Sequence, residues 1–436
     1  MIKKYSSIVL STLFFLSGCG TETTNDTSDT NDTVILQDIN DTLQNITIKK
    51  SSALEQLNQI RTQLGLNPLK PNPYLTTAAQ NHAKYLFIHH ISGHYETQGQ
   101  EGFTGKTPLD RTIYAGYKSR AVSENVSTGQ KDEQASIDGL MSAIYHRLGF
   151  LDMNIDEIGT ANEQNSSYVY DMGNSYLNAL CNGQSFDGSG EYYYDVCANE
   201  DFKIKATTYN QAKNQIKNTN PTYVIYPYKN QQEVNPVFYE ESPDPLPDYS
   251  VSGYPISILF NDAKIDTELL NVTSFTLTTN HMQIPLIQHN DGSTILTQQN
   301  DINDHLSAYE FAIFAKQRLD YNTTYQASFV YNYNGEDKNI TWSFTTKSLP
   351  NLITFENKDI NIALNTPFYL YFPPKDQNDV INSNSIGCTY TQGGYAKPTI
   401  TFYDQNTLFI TINGKDIDSC DVNINGEKKL TLHIQN

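Results

Sequence analysis

Hydrophobic spacing changes character along this chain, and that change limits the folds open to it. In SSALEQLNQIRTQLGL, Leu54, Leu57, Ile60 and Leu64 recur at the three- and four-residue intervals that line one face of a helix. From Tyr223 onward the spacing becomes two. SFTLTT, YQASFVYNY and NITWSFTT alternate apolar with polar residues between turn-forming residues. One face of a strand needs the second pattern and one face of a helix needs the first. The chain therefore reads as a layered helix-and-strand region followed by all-β structure.

Local signals sharpen the helical half. Ser52 and Glu55 form a capping box, and Gly65 is placed to stop the helix that follows. Asn72 caps and Pro73 opens a second helix, whose inward face is Leu75, Ala78, Ala79, His82, Ala83 and Leu86. Thr107 and Pro108 open a third, ended by Gly116, and a fourth runs from Asp132 to Tyr145 with Ile137, Leu140, Met141 and Ile144 inward. Extended segments follow near residues 155–161 and 167–173. SFDGSGEYYYD, which lacks the spacing of a calcium loop, reads as a surface loop.

In the second half, Tyr325 to Thr346 reads as a hairpin turning at Asn334-Gly335 and ending on Trp342 and Phe344. Trp342 at such a position is core rather than a sugar platform. Asp244-Pro245-Leu246-Pro247 reads as an extended, exposed strut. Residues 351–436 continue the alternation in FYLYF, CTYTQ, TITFY, LFITI and LTLHI, as a second, smaller β domain.

The 436 residues suffice for about three domains. A net charge of −19 argues against a nucleic-acid partner, which requires a basic footprint. The chain begins MIKKYSSIVLSTLFFLSGCG. Lys3 and Lys4 precede an apolar stretch, Ile8 to Leu16, that falls short of the about 20 residues a spanning helix needs. This is the layout of a secretory signal. Its end, LSGC, resembles the bacterial lipobox, and that resemblance implies that Cys19 becomes a lipidated N-terminus. Lipid chains on Cys19 would make the membrane a partner, with the protein facing the periplasm or the cell surface. Residues 19–50 are polar, acidic and too poor in apolar groups to build a core, and read as a tether.

There are five cysteines, an odd number for an exported chain. Lipidation of Cys19 leaves two sequence-local pairs, Cys181 with Cys197 and Cys388 with Cys420. Closing the first loop is worth about 3 kcal/mol in the chain-entropy view.

The pieces QIRTQLGLNPLKPNPYLTTAAQNHAKYL, SGHYE, GFTGKTPLDRTIYAGY, SENVSTG, GLMSAIYHRLGF and DEIGTA, in this order, resemble the CAP superfamily. These are the cysteine-rich secretory, antigen 5 and pathogenesis-related proteins. The resemblance implies an α-β-α sandwich over residues 51–218. The run through PDPLP and SGYPI, closed by WSFTT, resembles the Ig-like module that follows bacterial CAP domains, and implies a β-sandwich over 219–348. Residues 349–436 complete the division, after a signal over 1–18.

The CAP resemblance also implies a cleft with two histidines and two acids. Carried onto this sequence, they fall on His94 in SGHYE, Glu124 in SENV and His146 in YHR. The second acid belongs three residues before His146, where this chain has Ala143. Two imidazoles and a carboxylate can bind a borderline metal such as Zn²⁺ in an open site with water in the remaining position, and a bound metal could acidify that water. The same three groups can instead hydrogen-bond across the cleft and hold no metal. His82, His89 and His90 read as ordinary polar residues, Glu157 as structural, and Asp110 and Arg111 as a pair or a cap. Arg147 either positions an anion or caps a helix.

No G-x-S-x-G, S-x-x-K or H-E-x-x-H occurs. Three functions remain. The first is a surface-tethered binding protein whose cleft takes a lipid, sterol, peptide or glycan. The second is a metal-assisted hydrolase of proteins or envelope polymers, and the third a structural or adhesive protein with a vestigial cleft. General acid–base work needs two positioned titrating groups, so Ala143 favours the first and third.

Overall fold

The computed structural model describes residues 52–435. The signal, Cys19 and the acidic tether lie outside the described residues. The chain divides into two compact units. The first runs to Val224 and also includes Glu241–Pro243 and Asn261–Lys264. The second comprises Ile225–Glu240, Asp244–Phe260 and the chain from Ile265.

The first unit begins with helix α1 (Ala53–Gln63), whose Ser52 and Glu55 form the capping box expected from the sequence. Arg61 of α1 is fully buried and donates to the carbonyls of Asn67, Phe150 and Asp152. Helix α2 (Pro73–His89) starts on the Asn72 cap and buries Leu75, Ala78, Ala79, His82, Ala83 and Leu86, the face its spacing marks. Helix α3 (Pro108–Ala115) opens with a Thr107–Asp110 capping box and ends at Gly116, whose φ of 109° favours glycine. Asp110 is thus a cap.

The sheet has the order β1-β3-β4-β2, with β1 Lys70–Pro71, β2 Val122–Thr128, β3 Glu157–Glu163 and β4 Ser167–Gly173. β1 runs parallel to β3, and the other pairings are antiparallel. Successive side chains on β2 face opposite ways. Val126 and Val169 pack on Ala79, Ala83 and Leu86 of α2. On the other face Tyr170 meets the Ser136 hydroxyl at 2.9 Å and the Phe150 ring at 5.3 Å. Helices therefore cover both faces, as the α-β-α reading expects.

One helix differs from expectation. The segment read as a single helix to Tyr145 breaks at Ala143, which is extended at φ −82° and ψ 120°. It forms α4 (Glu133–Ser142) and α5 (Ile144–Leu151), and Ala143 gives α5 no side-chain cap. Two further helices, α6 (Ser175–Cys181) and α7 (Ala206–Thr219), complete the unit. Cys181 and Cys197 are joined as expected. The SFDGSGEYYYD stretch is not all loop, because Tyr192–Tyr193 pairs with Ile204–Lys205.

The second unit is built of strands. Thr324–Tyr333 and Glu336–Thr345 form the expected hairpin, with Asn334 and Gly335 at φ of 52° and 84° in the turn. Leu270–Thr279 pairs with the first of these strands, and Trp342 packs against Phe275 in the core. A further sheet is dominated by Asn384–Asp404 and Thr407–Ile424, strands of 21 and 18 residues, longer than the short runs that the sequence marks. Cys388 and Cys420, opposite each other in that ladder, form the second expected disulfide. Pro245 and Leu246, read as exposed, are buried instead.

Candidate functional site

β2 positions the first part of the site. Glu124 and Asn125 are consecutive, so their side chains serve opposite faces of the sheet. Glu124 Oε1 lies 2.7 Å from His94 Nδ1, and Arg111 donates to Oε2 at 2.7 Å. Arg111 also donates to the His94 carbonyl at 2.9 Å, which ties the SGHYE loop to α3. Asn125 donates to the His146 carbonyl at 2.8 Å and so holds α5.

His82 is wired into the same network. Its Nδ1 meets Glu96 Oε1 at 3.0 Å, its Nε2 meets the Gly93 carbonyl at 2.9 Å, and Nε2 stands 3.9 Å from Glu124 Oε1. Glu96 also accepts from the Thr104 and Gly105 N–H groups. Burial alone would raise the Glu124 pKa. The charges of Arg111 and His82, together with the His94 hydrogen bond, outweigh it and hold the carboxyl well below the usual carboxylate range.

Asp171 sits directly across the ladder from Glu124 and is fully buried, and neither of its oxygens makes a hydrogen bond of good geometry. Burial, reinforced by the Glu124 charge, pushes its pKa well above the carboxylate range. The two facing carboxyls are therefore shifted in opposite directions, Glu124 down and Asp171 up.

His146 has a different partner. Glu241, from far along the chain, accepts from Ile144 N–H at 2.7 Å through Oε1, and its Oε2 stands 3.1 Å from His146 Nδ1. Both side chains are buried. The structure thus pairs His94 with Glu124 directly and His146 with an acid for which the sequence gives no local sign. His94 and His146 are 2 % and 1 % exposed, in contrast to the solvent-open arrangement expected from sequence.

Among the other residues considered from sequence, Glu157 accepts from Asn72 and from the Tyr117 hydroxyl, which is a structural role. Arg147 donates to the Met141 carbonyl and ties α5 to α4. Arg111 is part of the site. Glu96 was within reach of sequence reasoning, two residues after His94 in the same motif. Asp171 requires the strand register and Glu241 requires the fold. Among the described residues, no group of three or more His, Cys, Asp and Glu is arranged to hold a metal ion.

Residues 54–197 match the sequence model of the CAP family, the cysteine-rich secretory proteins. No curated protein matches the chain. An extracellular protein containing an SCP domain from Bacillus anthracis str. Ames is similar at 19 % identity and a TM-score of 0.25, covering 28 % of this chain and 38 % of that one. A cysteine-rich secretory protein from Staphylococcus aureus subsp. aureus Mu50 is similar at 21 % identity and a TM-score of 0.22, covering 35 % and 44 %. The chain spans less than half the length of either. Residues 54–197 are a CAP domain of the cysteine-rich secretory protein family, followed by a β-rich region of several sheets.

Proposed function

We propose that this chain is an exported, membrane-anchored binding protein whose CAP domain holds its ligand beside preformed histidine–carboxylate pairs. The observation that supports this is the engagement of both glutamates. Glu124 is held by His94 and Arg111, and Glu241 by the start of α5 and by His146. Acids fixed in this way orient imidazoles and are poorly placed to accept a substrate proton.

Among the described residues no cluster of three ligands is arranged for zinc, and only the imidazole chemistry would suit it. A carboxylate behind Nδ1 is the usual support for an imidazole that binds a metal through Nε2. His94 and His146 would be the ligands, with Glu124 and Glu241 behind them. That donor set falls short of the three protein ligands of catalytic zinc sites, so the hydrolase reading ranks second. Glu241 is the observation in its favour, because it restores a second acid beside the second histidine. When bound, zinc would supply Lewis acidity; the chain's own groups hold the two rings in one tautomer.

The test uses the full-length chain purified in detergent. Zinc content after dialysis is measured beside turnover of casein and peptidoglycan. Retention of lipid, sterol, peptide and glycan probes is measured in parallel. The binding reading expects saturable retention of one probe class, lost in His94→Ala and His146→Ala, without turnover. Hydrolysis abolished by His146→Ala would replace it with the hydrolase.

Export is supported by the two disulfides, which persist in oxidising compartments. Anchoring through Cys19 rests on the LSGC motif. Labelled palmitate should enter the wild-type chain and be absent from Cys19→Ser; equal labelling of the two would remove the anchor.

A further inference from the structure

A cavity of about 270 Å³ lies wholly within the β-rich second unit. That is close to the smallest volumes that hold small ligands. The buried part of its wall is Arg318, whose side chain is 1 % exposed. Asp404 grips the guanidinium, accepting from Nη1 at 2.9 Å and from Nη2 at 2.7 Å. The Tyr239 hydroxyl also accepts from Nη1, at 3.1 Å, and the Tyr321 hydroxyl accepts from Nη2. The ring centroids of Tyr321 and Tyr371 each stand 4.8 Å from the guanidinium carbon. Every one of these hydrogen bonds uses Nη1 or Nη2. Nε is buried and makes no hydrogen bond among the described residues. A buried donor without an acceptor is costly, and a ligand oxygen in the cavity that Arg318 lines would supply one.

Another stretch of wall is equally fixed. Val251 N–H donates to the Gln377 carbonyl at 3.0 Å, and Asp376 Oδ1 accepts from Asn378 N–H at 2.9 Å. The site is thus preformed, as small-ligand sites usually are.

The balance of donors and acceptors selects the ligand. Lys316, Arg318 and Lys375 only donate, ionised Asp320 and Asp376 only accept, and the amides of Gln317 and Gln377 do both. An anion would meet two carboxylates, and a cation would meet three cationic side chains. A hydroxyl group both donates and accepts, so a ligand rich in hydroxyls satisfies the whole set. Tyr371, Pro373 and Pro374 add apolar surface for the C–H face of a sugar ring. A peptide backbone also donates and accepts, but it gains affinity from an open strand edge. Tyr371 is the one lining residue in a strand, and it is paired on both sides, with Thr354 and with Thr407.

We infer that this cavity is a saccharide site that takes a short stretch of neutral glycan, with Arg318 Nε donating to a sugar oxygen. It lies apart from the histidine–carboxylate pairs and does not depend on the binding reading above.

The experiment uses the full-length chain in a detergent without a sugar headgroup. Cellotriose, maltotriose, mannotriose and tri-N-acetylchitotriose are titrated by calorimetry, beside acidic trigalacturonate and the peptide N-acetyl-triglycine amide. At least one neutral sugar should bind saturably, and more tightly than the acid or the peptide. That sugar should bind about tenfold or more weakly to Arg318→Lys, which keeps a charge opposite Asp404 and lacks the Nε donor. The double variant Gln317→Ala/Asp320→Ala changes two exposed residues and should weaken binding by a similar factor. If circular dichroism shows that Arg318→Lys does not fold, the double variant gives the same readout. His94→Ala and His146→Ala should bind the sugar as wild type does. No saturation by any neutral sugar up to about 10 mM would overturn the site. So would tighter binding of trigalacturonate, or unchanged affinity in the folded variants. Tighter binding of the peptide would make it a peptide site, and loss of sugar binding in His94→Ala would move the sugar to the CAP domain. The two proposals therefore fail separately.

Discussion

Arg111 lies 13 residues before Glu124 in the chain and donates to it at 2.7 Å in the fold. A buried carboxylate deprived of its cation is costly, commonly about 3–5 kcal/mol. Arg111→Met should therefore lower stability by about that amount in urea denaturation followed by circular dichroism. The pH dependence follows from the direction of the shift. Because the folded Glu124 pKa is depressed, its contribution is present above the ordinary carboxylate value of about 4 and is lost as pH falls below it. In Arg111→Met the folded pKa is less depressed, so that acid loss should be smaller and end at higher pH. Asp171 works in the opposite sense. Its raised pKa means that its contribution is held at low pH and lost as pH rises through the folded value. Asp171→Asn should raise the melting temperature at pH 7–8 and change little at pH 4. The gain at neutral pH should be about 1–3 kcal/mol, the scale of relieving a poorly satisfied buried group.

Among the elements, α2 and β3 approach closely at Gly159. A Cβ on Gly159 would stand 2.0 Å from the Leu75 carbonyl carbon and 2.1 Å from the Thr76 nitrogen, both main-chain atoms that cannot swing aside. Gly159→Ala should cost at least about 3 kcal/mol and lower the yield of folded protein, measured by denaturation beside an Ala161→Gly control. Much at this scale was legible beforehand. Caps at Ser52, Asn72 and Thr107, the stop at Gly116 and the turn at Asn334-Gly335 are local chemistry, and local chemistry is written in adjacent residues. Where the sequence misled, the cause was distant. Residues 132–145 carry unbroken helical spacing, yet the chain breaks at Ala143. The carboxylate that receives the new helix start comes from Glu241, 97 residues from Ile144. His94, Glu124 and His146 were legible because they stand in motifs. His82 and Arg111 were underread because their meaning depends on being buried together, which spacing does not reveal.

At the level of the whole molecule, both disulfides close local segments, 16 and 32 residues apart in sequence. Cys181–Cys197 lies in a small cluster with Val196 and Ile204 that contributes little apolar surface of its own. Replacing both cysteines with alanine should cost about 3 kcal/mol, seen as a lower denaturation midpoint that reduction no longer shifts further in that region. The position of Glu241 has a practical consequence as well. A gene fragment trimmed to the recognised family stretch, residues 54–197, would encode His146 and omit the acid that orients it. Such a fragment would enter any assay with one ring lacking this brace, and a negative result from it would say nothing about the intact protein.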